Sequence, residues 1–437
     1  MLKKIIKRIR NRRGGAAVGR YYSMPLAVGN TAAVQILKRL QQEGFEAYLV
    51  GGAVRDLLLG ITPKDFDIAT NAMPEQVRRL FRRSRIIGRR FPIVHVMSGG
   101  ETVEVSTFRS GQALRQNELG RIMRDTHYGT LEQDAVRRDF TCNALYYNVA
   151  SQEVIDFHNG LDDIRARRLV IIGDAAARYQ EDPVRILRAV RLSGKLGFEV
   201  EAQTAAPVRE YAHLLKKEPV ARLFDELMKL LFSGHASGCL KQLQVLGVSD
   251  GIHPLLSAMQ ADEDGMVQAA LAQTDRRLRE GQTVSAGFVL AAVLWPKVRH
   301  LWRQACADGQ KPAAAMTAAI ARWREDFEHG WGVPQRYSAV MREIWALQPH
   351  FAHRNGSRPF RLLAQPRFRA AYDFLLLRAQ SGEAVAEEVQ WWTDFQAADE
   401  TRRQAMSAAQ GRADGAAKPT KRKRRRRKKT AVSPRPD

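Results

Sequence analysis

Cysteine is scarce in this sequence: among 437 residues only Cys142, Cys239 and Cys306 carry thiols, and no two form a CxxC pair. That spacing excludes a disulfide-stapled scaffold and a cysteine zinc site, and it agrees with a cytoplasmic, reducing location. Long apolar runs are also missing. None approaches the ~20 residues that span a bilayer, so stable membrane insertion is not expected. The opening Met1 to Arg10 alternates bases with isoleucines and has no apolar segment after it, which does not read as a secretory signal. No clear repeat of 20–50 residues is visible.

Acid is missing from both ends. Residues 1–20 carry eight Lys and Arg and no carboxylate, and residues 418–437 carry eleven bases and one Asp, leaving +6 of the net +24 for residues 21–417. Such ends attract polyanions without reading sequence, because each cation near a phosphate releases counterions. A solubilising tail, an anionic membrane contact or an amphipathic surface helix at the start are the alternative readings. The run Lys421 to Lys429 has no apolar face, which favours nucleic acid.

What is present is a chain long enough for two or three domains. Residues 31–43 have helical apolar spacing at Val34, Leu37 and Leu40 and stop at Gly44. Tyr48-Leu49-Val50 reads as a buried strand, followed by Gly51-Gly52 and a helix from Ala53 to Leu59. A strand carrying Asp65-Phe66-Asp67-Ile68, a helix from Pro74, and strands near 93–97 and 102–108 around Ser98-Gly99-Gly100 complete a mixed α/β head to about residue 165. Residues 111–130 read as a mobile loop. From about 178 the spacing is helical almost throughout, including 184–196, 220–231, 284–295 and 313–322. Trp302, Trp323, Trp345, Trp391 and Trp392 read there as helix-packing residues rather than base-stacking platforms. Beyond residue 400, Arg, Ala, Gly and Gln without apolar period predict disorder.

The segment that carries chemistry is Gly51-Gly52-Ala53-Val54-Arg55-Asp56 followed by Asp65-Phe66-Asp67. On a strand, residues two apart share a face, so Asp65 and Asp67 are expected to point together while Phe66 and Ile68 pack away. Paired carboxylates raise each other's cost of ionising, and a divalent cation relieves it. Mg²⁺ suits this set, taking one or two carboxylates plus substrate phosphates. The glycine pair before a helix lets backbone amides approach a phosphate, and Arg55 adds a charged contact to the same group. Together these parts predict metal-dependent phosphoryl transfer.

At these residues the chain resembles the class II tRNA nucleotidyltransferase/poly(A) polymerase family of the polymerase-β superfamily, over roughly residues 30–200. Asp134-Ala135-Val136-Arg137-Arg138-Asp139-Phe140-Thr141 is similar to that family's D-x-x-RRDFT segment, Asp156 to Ile164 to its head–neck hinge, and Glu181-Asp182-Pro183-Val184-Arg185 to its EDxxR segment. The resemblance implies a polymerase-β-like mixed α/β head followed by an all-α neck and body, with disordered basic termini. It implies Asp65 and Asp67 as the metal-binding catalytic pair, and Asp139 as a residue needed for activity or, alternatively, a structural ion pair with a neighbouring arginine. Gly51, Gly52, Arg55 and Arg138 would hold the nucleotide. Asp182 and Arg185, with Glu181, would read the incoming base, Asp182 serving also as a helix cap, and Arg188 would contact phosphate. Glu104 faces away from Val103 and Val105, as a third carboxylate or as an exposed strand residue.

The implied segments are a basic extension at 1–22, the catalytic head at 23–165, a neck at 166–230, a helical RNA-binding body at 231–405 and a basic tail at 406–437. The family both completes tRNA ends with CTP and ATP and adds ATP to varied RNAs. Ile86 to Val96, with Arg89 and Arg90, and the polybasic tail favour the poly(A)-adding branch, with RNA 3′ ends, ATP and RNA-decay proteins as partners. A CCA-adding enzyme, a non-catalytic RNA-binding protein and a nucleotidyltransferase of proteins or small molecules are the alternatives. Pro92 withholds a ladder donor inside an apparent strand and leaves that strand's boundary open.

Overall fold

A computed structural model of the chain describes residues 19–416 apart from 30, 89–91, 111–127, 249–250, 262–264 and 329–332. These residues collect into two compact units. The first holds the chain up to Ala261 together with Leu271–Val284, and the second holds most of the later helices, from Ser285 onward.

The first unit begins with β1 (Arg20–Ser23), α1 (Ala32–Gln42), β2 (Ala47–Val50), α2 (Gly52–Leu58), β3 (Asp67–Thr70), α3 (Pro74–Leu80), β4 (Ser84–Ile87), β5 (Ile93–Ser98), β6 (Glu101–Thr107), α4 (Leu131–Arg137), β7 (Leu145–Asn148) and β8 (Glu153–Asp156). Its eight strands form one sheet in the order β1-β8-β7-β2-β3-β6-β5-β4, with β3 and β6 parallel and the other neighbours antiparallel. Local chemistry sets the elements that matter. Thr31 caps α1 by accepting from the Val34 amide at 3.4 Å, and Val34, Leu37 and Leu40 face the core as their spacing predicts. On β6, Val103 and Val105 are buried while Glu104 is exposed, the alternation of a strand with one packed face.

The chain then continues through α5 (Gly160–Ala166), β9 (Arg168–Leu169), α6 (Ala175–Glu181), α7 (Val184–Leu196), β10 (Glu199–Val200), α8 (Ala202–Ala205), α9 (Val208–Tyr211), α10 (Val220–Leu231), α11 (Ala236–Val245), α12 (Pro254–Gln260) and α13 (Met266–Arg279). β9 and β10 pair in parallel as a separate two-stranded sheet. Helices α7 and α11 cross at Gly194, where a Cβ would fall 2.6 Å from the Cys239 backbone. The change from mixed to helical structure therefore occurs inside the first unit.

The second unit contains α14 (Ala286–Ala307), α15 (Pro312–Glu328), α16 (Gln335–Leu347), α17 (Arg358–Leu363), α18 (Phe368–Gln380), α19 (Ala386–Ala397) and α20 (Glu400–Ala416). Tryptophans organise its core, as expected. Trp323 and Trp345 meet edge to face with centroids 4.8 Å apart, and Trp392 packs similarly on Phe351 at 5.3 Å. Trp295, Trp323, Trp345 and Trp392 are fully buried, whereas Trp302 and Trp391 are half-buried.

Three expectations change. The ladder of β3 starts at Asp67, so Asp65 lies before the strand. Its antiparallel neighbour β2 ends at Val50, the partner of Asp67, where Gly51 turns away with φ +73°. Pro92 stands in the connection between β4 and β5 and not within a strand, which settles the boundary it put in question. Residues 400–416 form a helix and are not disordered. Arg403 donates to the carbonyls of Phe395 and Gln396 at 2.8 and 2.7 Å, Ser407 donates to Gly356 O at 2.8 Å, and Met406 packs on the core below. A few anchors suffice for an alanine-rich segment of high helix propensity. Residues 111–127 of the loop expected at 111–130, Arg89 and Arg90, and both polybasic ends lie outside the described residues.

Candidate active site

Beside the carboxyl end of β2 lies a cleft of about 280 Å³ lined by Val50, Asp67, Ile93, Glu104, Ser106, Arg109, Asp134, Arg137 and Arg138. Sheet register brings the acids there. Asp67 is the neighbour of Val50 on one side and of Glu104 on the other. The Asp67 carboxyl opens to the cleft yet is crowded by protein. Burial, then the charge of Glu104, push it up to about 6 against the pull of Arg138, and Asp65 adds to the rise. Of the two aspartates, only Asp67 is in the strand and in the lining of the cleft. Glu104 Oε1 also lies 3.3 Å from His95 Nε2.

Arg138 is the cation fixed beside these acids. Thr130 and Gln133 close a capping box that starts α4, and Arg138 follows its last residue. From there Arg138 donates to the Tyr146 hydroxyl and to Asp134 Oδ2, both at 2.9 Å, and Tyr146 donates to the same carboxylate oxygen at 2.7 Å. Burial opposes the Arg138 charge, but Tyr146 and Asp134 outweigh it and raise its pKa further, so it stays cationic. A Cβ at Gly51 would stand 3.6 Å from an Arg138 terminal nitrogen, which places the glycine turn against this guanidinium.

The other expected residues make a second group. Asp139 is buried. Arg188 holds it through Nε at 2.7 Å, and its remaining oxygen accepts from the Phe140 amide at 2.8 Å and Asn143 Nδ2 at 3.3 Å. Burial raises its pKa, but Arg188 and those hydrogen bonds win and hold it at about 2. The arginine is supplied by α7, not by the neighbouring Arg137 or Arg138. Arg188 also reaches Glu226 at 3.9 Å. Arg185 donates to Glu181 Oε2 and to Arg178 O, both at 2.8 Å. Asp182 is not the N-cap of α7, a place taken by Pro183, but closes α6 as its C-cap; its Oδ1 accepts the Val184 amide at 3.2 Å and its Oδ2 accepts Arg222 at 2.7 Å.

Arg55 is buried and turned inward. It donates to Asp56 Oδ1 from Nε and a terminal nitrogen at 2.8 and 2.6 Å, and to Asn143 Oδ1 at 2.5 Å. It is thus part of the scaffold under Gly51-Gly52.

Sequence reasoning missed the residue that joins the two groups. Arg178 on α6 donates to the carbonyls of Arg137 and Arg138 at 2.9 and 2.5 Å and to Glu181 at 2.7 Å. It bridges the cleft segment to the Glu181–Arg185 pair. Its position one helical turn before Glu181 is the only signal the sequence offers.

The fold and the cleft define a class, a nucleotidyltransferase head carried on helices. The CCA-adding enzyme of Bacillus stearothermophilus, solved in complex with CTP, has the same architecture, with a TM-score of 0.54 and 25% identity over 82% of this chain and 80% of that one. Residues 47–170 match the Poly A polymerase head domain, residues 197–259 the model described as "Probable RNA and SrmB- binding site of polymerase A", and residues 308–429 the Polymerase A arginine-rich C-terminus. Poly(A) polymerase I of Haemophilus influenzae is 40% identical over 92% of both chains, whereas a CCA-adding enzyme of Bacillus cytotoxicus is 37% identical over 54% of this chain and 57% of its own. The chain belongs to the bacterial poly(A) polymerase family. Nucleotidyltransferases of this family are enzymes that use ATP or CTP with divalent metal ions. Among the described residues no helix is long and apolar enough to cross a membrane.

Proposed function

We propose that the chain is a template-independent poly(A) polymerase, transferring AMP from ATP to RNA 3′ ends and releasing pyrophosphate. Kinship at 40% identity over nearly the whole length, continued through the arginine-rich C-terminus, supports this over CCA addition.

For the chemistry, the carrying observation is the sheet register that sets Asp67 beside Glu104 in a cleft also lined by Arg109, Arg137 and Arg138. Neighbouring carboxylates of this kind fit a hard divalent cation, which we take to be Mg²⁺ held by Asp65 and Asp67. Among the described residues no three acidic, His or Cys side chains converge to cage a metal. When bound, the ion supplies charge neutralisation for the attacking 3′-hydroxyl and the leaving pyrophosphate. Arg138, pinned by Tyr146 and Asp134, lies ready to contact the triphosphate, and the Gly51-Gly52 turn admits it closely because no side chain intervenes. Arg185, oriented by Glu181, is assigned to the base, with Asp182 completing that face. Asp139, held by Arg188, positions the segment that carries Arg138, and Arg55 and Arg188 support the site through their ion pairs.

The test is direct. The purified protein is incubated with Mg²⁺, either a generic RNA or a tRNA lacking its terminal CCA, and either ATP or CTP. Long A-tracts on generic RNA from ATP alone are expected; addition limited to CCA on the tRNA would reverse the assignment.

A further inference from the structure

In the second unit, an open cavity of about 510 Å³ is lined by His350, His353, Arg358, Arg361 and Gln365, with no carboxylate in its wall. Leu347 and Leu362 give it a small apolar floor. Its arginines differ from those around them. Arg354 pairs with Glu387 at 3.8 Å, Arg367 with Glu343 at 2.7 Å, Arg369 with Asp373 at 3.1 Å and Arg378 with Glu383 at 2.9 Å. The guanidinium groups of Arg358 and Arg361 have no ion pair or hydrogen bond among the described residues, and both are exposed. Standing three apart on α17, they project from the same side of one helical turn into the same cavity.

We infer that this cavity binds the sugar-phosphate backbone of single-stranded RNA, with Arg358 and Arg361 on successive phosphates and the leucine floor under a ribose or base. The two cations have no partner among the described residues to neutralise them, so an external anion is the group their placement suits. The cavity lies in the size range of sites that enclose a nucleotide and is far larger than one phosphate needs. His350 and Gln365 add neutral hydrogen-bonding groups. Burial, then the proximity of His353, keep His350 below its ordinary value, so it is uncharged at neutral pH. The inference deepens the polymerase reading and rests on it for the choice of RNA as the polyanion.

The experiment uses the full chain carrying Arg358→Ala and Arg361→Ala together, and a companion with both changed to lysine. Binding of a fluorescent 20-nucleotide RNA is followed by anisotropy across salt concentrations, beside extension assays at saturating RNA. Loss of two phosphate contacts makes the slope of log affinity against log salt shallower by about 1.4 and weakens binding on the order of tenfold, with lysine restoring most of the slope. Extension at saturating RNA is expected to stay at the wild-type rate. Unchanged affinity and slope in the alanine variant would overturn the inference. So would inorganic phosphate or ATP binding, lost with the arginines, while RNA affinity is retained, since the site would then serve a small anion. Failure of the wild-type protein to extend RNA, with the binding difference intact, would remove the polymerase reading and leave this pocket standing.

Discussion

The Asp139 carboxylate is enclosed by Arg188, the Phe140 amide and Asn143, and its depressed pKa makes it a source of pH-dependent stability. A carboxyl held at about 2 when folded, and near 4 when unfolded, stabilises the fold fully above pH 4 and ceases to do so as the pH falls toward 2. Asp139→Asn should therefore lower stability by about 2–3 kcal/mol at pH 7, toward the lower end for a broken buried pair because Arg188 keeps some solvent. In chemical denaturation the gap between wild type and variant should narrow steadily below pH 4. A gap independent of pH would contradict the pairing. Arg178 makes a separate residue-level case. If it positions the Glu181–Arg185 pair against the Arg137-Arg138 carbonyls, Arg178→Met should raise KM for ATP about tenfold with a smaller change in kcat, roughly the loss of one charged hydrogen bond. Initial rates over a range of ATP concentrations measure it, and an unchanged KM would deny the role.

Helices α7 and α11 cross closely at Gly194. A methyl on Gly194 would collide with the Cys239 main chain, which cannot swing aside as a side chain can. Gly194→Val should lower the first unit's stability by about 2 kcal/mol or more, read as a drop in its thermal midpoint; a midpoint equal to wild type would mean the crossing is looser than described. At this scale the sequence was largely readable. Apolar spacing located α1, α7 and α10 because each buries one stripe, and alternation located β6 because one face is packed. Where local pattern and tertiary context part, it was not. Asp65 looks like strand because it alternates with Asp67, yet the ladder stops where β2 runs out. The segment 400–416 looks disordered because its contacts with Phe395, Gln396 and Gly356 are made by Arg403 and Ser407, residues that carry no apolar period. The cleft acids and Arg138 were legible through their motifs, but the inward turn of Arg55 was not, since its partner Asn143 lies 88 residues away.

For the whole molecule, charge and chemistry are separated along the chain. Most of the +24 charge belongs to residues 1–20 and 418–437, while the carboxylates proposed to act lie in the mildly basic remainder. Removing residues 418–437 should accordingly weaken RNA binding and flatten its salt dependence by several units while leaving ATP affinity unchanged; an unaltered slope would exclude the tail from RNA contact.

The central claim is that Asp65 and Asp67 carry phosphoryl transfer and do not serve RNA binding. Replacing both with alanine and assaying ATP incorporation beside RNA anisotropy tests it most directly. Extension should fall at least a thousandfold with RNA affinity preserved, and Mg²⁺ together with ATP should no longer raise the thermal midpoint. Extension at a rate near wild type would contradict the account.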